Sequence, residues 1–250
     1  MIGGAFGAVV VAGCGGGGGG GSTTTSGTTT SGTTTSTTST GTTSSHAVTP
    51  EGEIGPYFTD DSATGYNRNN ILANLDGTDP QVGVPLTLKV YVYDSENNNA
   101  ALAGAQVDIW HCNALGVYSN ESSESTSGQT WLRGYQLTDT NGMVTFTTII
   151  PGWYQGRTTH IHLRVRSKYS EASSTSDGSN TTQVFFSQTL LDSIYTNVAP
   201  YNTKGTDTTT NASDRVYTSQ THGENELVLT GDNTNGYAAT FAIYLPITSE

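Results

Sequence analysis

Seven short apolar-rich runs, most alternating polar and apolar positions, constrain this chain more than any other feature. They are residues 86–94 (LTLKVYVYD), 105–112 (AQVDIWHC), 143–150 (MVTFTTII), 160–166 (HIHLRVR), 183–187 (QVFFS), 225–230 (NELVLT) and 238–245 (AATFAIYL). Successive side chains on a strand point to opposite faces, so an alternating run buries one face and wets the other. In the first run Leu86, Leu88, Val90 and Val92 share a face. Gly, Asn and Pro punctuate the intervals. The turn TDTNG at 138–142 carries an Asn-Gly pair, a strong hairpin signal ahead of the run 143–150. Strands of this length and number imply an all-β fold built as a single β-sandwich domain. Residues 189–196 (TLLDSIYT) have room for a modest helical turn. Residues 167–182 and 200–215 read as long loops, which in a compact domain are often functional.

The sandwich is expected to occupy 46–250, a length that suits one domain. Residues 15–45 are almost wholly Gly, Thr and Ser and carry too little apolar surface to offset the entropy of ordering them. They read as a disordered tether with a reach on the order of 30 Å. Before it, residues 5–12 (AFGAVVVA) form a short apolar run and Cys14 follows directly. That run suits a signal segment, 1–14, and is far too short to span a bilayer. The tetrapeptide VAGC at 11–14 resembles the lipobox of bacterial lipoproteins, which implies lipid on Cys14 and an extracytoplasmic protein, surface-anchored or secreted. No Lys or Arg precedes the run, and a start upstream of Met1 would supply one. The other cysteine, Cys112, ends a strand pattern and reads as a small buried hydrophobe. Net charge is −12 with only nine Lys and Arg, and no basic run, so nucleic acid is not an expected partner.

The run HIHLRVR adds chemistry. His160 and His162 share one face, and Ile161, Leu163 and Val165 the other, as on a half-buried strand. Two imidazoles on one rigid face can begin a metal site. Tyr154 lies in the loop before them and Tyr118 just past the run 105–112. Two phenols with two imidazoles favour a hard, highly charged cation, Fe(III), over zinc. The plain alternative is that Tyr118 and Tyr154 are two of 13 tyrosines packing with their hydroxyls satisfied.

The segment from Thr49 to Leu245 resembles the catalytic domain of the intradiol ring-cleavage dioxygenases. The resemblance rests on EIGPYF (53–58), VDIWHCNALGVYS (107–119), LRGYQLTD (132–139), GMVTFTTIIPGWYQGRTTHIH (142–162) and TQVFF (182–186). APYNTKG (199–205) and YAATF (237–241) resemble exported members in particular. It implies a non-haem Fe(III) held by Tyr118, Tyr154, His160 and His162, with Tyr154 and His162 axial. It implies a catalytic Arg157 beside the substrate carbon, Gln183 near the same pocket, and Trp110 packed by the metal site. An aromatic diol and O2 would be the substrates and a cis,cis-muconate the product, with Tyr154 accepting a proton. The short spacing from Tyr154 to His160 implies a trimmed, open pocket. The dimerisation helices of the cytosolic enzymes have no counterpart here, so the oligomeric state is left open. Substrate choice is expected to lie in the loops 57–80 and 195–210. Two other readings stay open: a non-catalytic β-sandwich that binds iron–catecholate compounds, and a transthyretin-like structural domain without metal.

Overall fold

The alternation of the first run persists in three dimensions. In the computed structural model, which describes residues 46–59, 65–167 and 179–247, Leu86, Leu88, Val90 and Val92 are buried while Thr87 and Lys89 between them are exposed. This strand, β1 (Pro85–Asp94), is the spine of a five-stranded sheet. It pairs antiparallel with β2 (Ala100–Ala101) and β5 (Met143–Ile149), and parallel with β9 (Gly236–Leu245). β9 in turn pairs with β8 (Leu229–Asp232). A second, antiparallel sheet runs β4 (Arg133–Leu137), β3 (Gln106–Trp110), β6 (His160–Arg166), β7 (Ser179–Phe185). Val107, Ile109, Ile161, Leu163 and Val165 of this sheet join Leu88, Val90, Phe146 and Ile243 of the other in one core. Each such side chain, fully buried, is worth about 1.5–3 kcal/mol. Helix α1 (Gln188–Asn197) follows β7, capped by the Ser187 hydroxyl, and buries Leu191, Ile194 and Tyr195. The expected β-sandwich is the observed fold.

Four local expectations are corrected. The Asn-Gly turn forms, with Asp139 N–H donating to Met143 O at 3.0 Å and Gly142 at φ 73°, but it is no hairpin. β4 pairs with β3 and β5 with β1, so the chain changes sheets there. Val144 and Phe146 carry an apolar face that matches Val90 and Leu88 of β1 in register, whereas β4 (RGYQL) has no apolar row to offer. The run 225–230 is also divided. Asn225 and Leu227 bond to Phe185 at the edge of β7, and only from Leu229 does the chain enter the other sheet. The loop assigned to 167–182 ends early, since residues 179–182 already belong to β7. Last, β6 is buried at all seven positions, not half-buried. The N-terminal segment lies against its histidine face: a Cβ on Gly55 would stand 3.2 Å from Cε1 of His162.

The expected signal segment, Cys14 and the tether fall outside the described residues. Among the described residues no helix is long and apolar enough to cross a membrane.

Candidate metal centre

Strand register builds the site. Trp110 of β3, His162 of β6 and Gln183 of β7 stand directly opposite one another, and His160 stands opposite Phe185. Opposed residues project to one face, so Trp110, His160, His162 and Gln183 share the face turned away from the core. Trp110 lies flat on the His162 ring, centroids 4.7 Å apart at 8°. The loop after β3 brings Tyr118 to this face, and the loop before β6 brings Tyr154 and Arg157.

Three donor atoms converge. His160 Nε2 lies 3.1 Å from His162 Nε2 and 3.2 Å from Tyr154 Oη. Two ligands at about 2.1 Å from one first-row ion and near a right angle stand ~3.0 Å apart, so these separations fit a shared ion. His160 Nδ1–H donates to Thr158 O at 2.7 Å, which leaves Nε2 with its lone pair toward the cluster. Burial drives the His160 imidazole down to about 3, with the Arg157 charge adding, and holds His162 well below its ordinary value. Both rings are therefore neutral donors near pH 7. Burial raises both phenols.

Tyr118 is 1% exposed, and its hydroxyl has no hydrogen bond of acceptable geometry, although the Tyr154 phenol is close enough to couple with it. A buried hydroxyl without a partner costs about 1–3 kcal/mol. A cation at the cluster would give this oxygen its partner. Among the described residues no three His, Cys, Asp or Glu side chains gather to hold a metal, so the phenols are needed to complete a donor set. The residues present fit a hard cation.

Arg157 and Gln183 meet directly: Arg157 Nη2 donates to Gln183 Oε1 at 2.5 Å, and Gln183 Nε2 donates to Glu53 O at 2.7 Å. Every residue singled out for the site thus falls in one cluster. Others went unread. Arg133, in LRGYQLTD, is fully buried and donates to Ser119 Oγ (2.8 Å), Ser119 O (2.8 Å) and Tyr57 O (2.6 Å), which locks the residue after Tyr118. Tyr57, in EIGPYF, stacks on Tyr118 at 4.3 Å. Both lie in motifs that carry the resemblance, and an arginine in a run without an apolar row is the signal the sequence offers. Asp214 sits in the long loop after α1 and forms an ion pair with Arg157 at 2.8 Å. The sequence marks 200–215 as a long loop and 195–210 as a place for substrate choice, and neither reading singles out Asp214.

Fold and site together define a β-sandwich protein with a mixed phenol and imidazole donor cluster on the outer face of one sheet. Residues 54–187, over half of the chain, match the family model described as Dioxygenase. The catechol 1,2-dioxygenase of Candida albicans is 28% identical over 108 residues, 42% of this chain and 33% of that enzyme. The one from Acinetobacter baylyi is 32% identical over 109 residues, 43% of this chain and 32% of that enzyme. The matched segments thus span about a third of those relatives. An intradiol ring-cleavage dioxygenase from Tetranychus urticae aligns with a TM-score of 0.66 at 24% identity, covering 80% of this chain and 95% of that one. The dioxygenase domain of a dioxygenase–carbohydrate-binding fusion from Streptomyces sp. SirexAA-E aligns at 0.56 and 26% identity, covering 81% and 100%. This chain belongs to the intradiol ring-cleavage dioxygenase family, a family of non-haem Fe(III) proteins.

Proposed function

We propose that this protein cleaves catechol-type aromatic diols between their two hydroxyl-bearing carbons, using O2 and a non-haem Fe(III) held by Tyr118, Tyr154, His160 and His162. The observation that carries the reading is the convergence of Tyr154 Oη (3.2 Å) and His162 Nε2 (3.1 Å) on His160 Nε2, beside the buried Tyr118 hydroxyl, which has no well-formed hydrogen bond. When bound, the ferric ion would supply Lewis acidity and a template for the diol.

The chain's own residues do the rest. Thr158 O and the Trp110 ring fix the two imidazoles. Tyr154, the less buried phenol, is placed to take up a proton at Oη from an incoming diol. The Arg157 guanidinium supplies fixed positive charge where negative charge develops on the ring. Its field already reaches Tyr154, His160 and His162. The indole of Trp110 and the rings of Phe58 and Tyr57 surround the cluster with apolar surface, which strengthens these electrostatic effects.

The lipobox-like VAGC ahead of the Gly/Thr/Ser stretch supports placement outside the cytoplasm on a lipid at Cys14. Oxygen uptake by the iron-loaded full chain given catechol, with ultraviolet detection of a muconate, tests the activity. Uptake with muconate supports it. A coloured, iron-replete protein that consumes no oxygen with any diol tried would leave chelation without turnover as the function.

A further inference from the structure

Asp214 comes from a part of the chain remote from every metal-site motif, yet its side chain is fully buried beside Arg157. One carboxylate oxygen, Oδ2, accepts Arg157 Nε–H at 2.8 Å and Thr158 N–H at 2.9 Å. The other, Oδ1, accepts Tyr217 N–H at 2.9 Å and lies 3.5 Å from Arg157 Nη2. The Asp214 N–H donates to Thr210 O, so the backbone beneath the carboxylate is held as well. Gln183 Oε1 takes Nη2 of the same arginine. Together these bonds occupy the Nε–Nη2 edge of the guanidinium. Among the described residues Nη1 makes no hydrogen bond, and the Arg157 side chain is 18% exposed. A planar fork gripped along one edge can present only its other edge. Left unheld, so long a side chain would sample many rotamers.

We propose that Asp214 is a positioning residue for the ring-cleavage reaction: its carboxylate fixes the Arg157 guanidinium so that the Nη1 edge faces the bound diol. The proposal rests on the function given above. Asp214 touches none of the four donor residues; His162 is paired by β3 and β7 and His160 by β7, and the Thr158 N–H that Oδ2 also accepts can be kept by an amide oxygen in the same place. Removing the carboxylate charge should therefore disturb Arg157 and spare the metal.

The test uses the full chain. Iron-loaded Asp214→Asn should bind iron with an unchanged visible phenolate band, and its KM for catechol should shift less than its kcat. kcat should fall roughly tenfold to hundredfold, the scale of a misplaced catalytic group. Asp214→Glu, which keeps the carboxylate, should recover part of that loss. In an Arg157→Ala background Asp214→Asn should cost nothing further, since both act through one group. The Arg157 Nε–H resonance of the iron-free chain, slow to exchange in the wild type, should lose its protection in Asp214→Asn. Additive losses in the double variant, or activity lost only in proportion to iron, overturn the proposal. If the wild type turns over no diol, the functional reading fails by itself. The Nε–H signal then tests the grip alone: unchanged protection in Asp214→Asn overturns it, and loss of protection upholds the hold on Arg157 while its part in ring cleavage falls with the functional reading.

Discussion

Tyr118→Phe should make the iron-free protein more stable and the iron-loaded protein less so. Tyr118 is 1% exposed and its hydroxyl lacks a well-formed hydrogen bond. Without metal, that oxygen has left water and has only the poorly aligned Tyr154 phenol beside it, at a cost of up to about 1–3 kcal/mol. Phenylalanine keeps the ring, its 4.3 Å stack on Tyr57 and the surrounding backbone, and loses only the oxygen. The small void left behind offsets part of the gain, for a net stabilisation of roughly 1–2 kcal/mol. In a chain of this size that raises the melting temperature by roughly 2–8 °C. With ferric citrate present the order should reverse. Wild type gains about 2.7 kcal/mol when free metal stands at 100 times its dissociation constant, and the variant, deprived of a ligand, gains little. The assay is thermal unfolding of both proteins, once in chelator and once in iron. If the chelated variant melts several degrees below the chelated wild type, the hydroxyl is satisfied within the polypeptide. The inference from its isolation to a metal would then be wrong.

Two further outcomes follow from the same geometry. Arg157→Ala should retain iron and colour but lose roughly 10²–10³-fold in kcat, the usual cost of one charge-stabilising group; full activity in steady-state oxygen uptake would refute the assigned role. His111 is wholly buried, bonds to Cys112 O and Thr148 Oγ1, and is driven by burial from 6.5 to about 4. Between those values the unfolded chain takes up a proton that the folded chain refuses, so stability is lost as pH falls. The loss is roughly 3 kcal/mol over the window, at about 1.4 kcal/mol per unit. His111→Gln should flatten the pH dependence of urea unfolding by about one proton between pH 6.5 and 4, and an unaltered slope would contradict the assignment.

The sequence disclosed what local periodicity can carry. β1, β6 and β9 were readable because each sets an apolar row against the core at period two, and α1 because its apolar residues recur at helical spacing. The two histidines could be placed together because His-x-His sets both rings on one face whatever the register, whereas Tyr118 and Tyr154 were joined to them by the resemblance. Sheet partnership was not readable. The Asn-Gly turn looks the same whether its flanking strands pair or part, and only the demand of Val144 and Phe146 for the core facing β1 decides it. β4 escaped because its anchor is polar: Arg133 holds it through Ser119 and Tyr57, at no sequence period. Asp214 escaped for a related reason. Its partner lies 57 residues away, and a carboxylate in a loop gives no sign of which cation it will meet.

The two phenols differ in how firmly the chain grips them, and the difference predicts which can move. Tyr118 is held at both ends of its peptide: its N–H donates to Glu124 Oε2 at 3.0 Å and its carbonyl accepts Thr126 Oγ1 at 2.6 Å. Arg133 locks the next residue, and Tyr57 covers the ring. Tyr154 stands in a turn whose own closing bond, Arg157 N–H to Tyr154 O, is 3.5 Å long, and its hydroxyl is held by His160 Nε2 at 3.2 Å. It is also the more exposed of the two. Under the proposed function, Tyr118 would stay in place and Tyr154 would yield its place and take up a proton. Tyr154→Phe should accordingly retain iron with weakened affinity while kcat falls roughly 10²–10⁴-fold, the range for losing a positioned proton acceptor. Iron titration of both phenylalanine variants separates the roles. If Tyr154→Phe loses iron as completely as Tyr118→Phe, the two phenols serve the metal equally, and the asymmetry in their anchoring has no functional meaning.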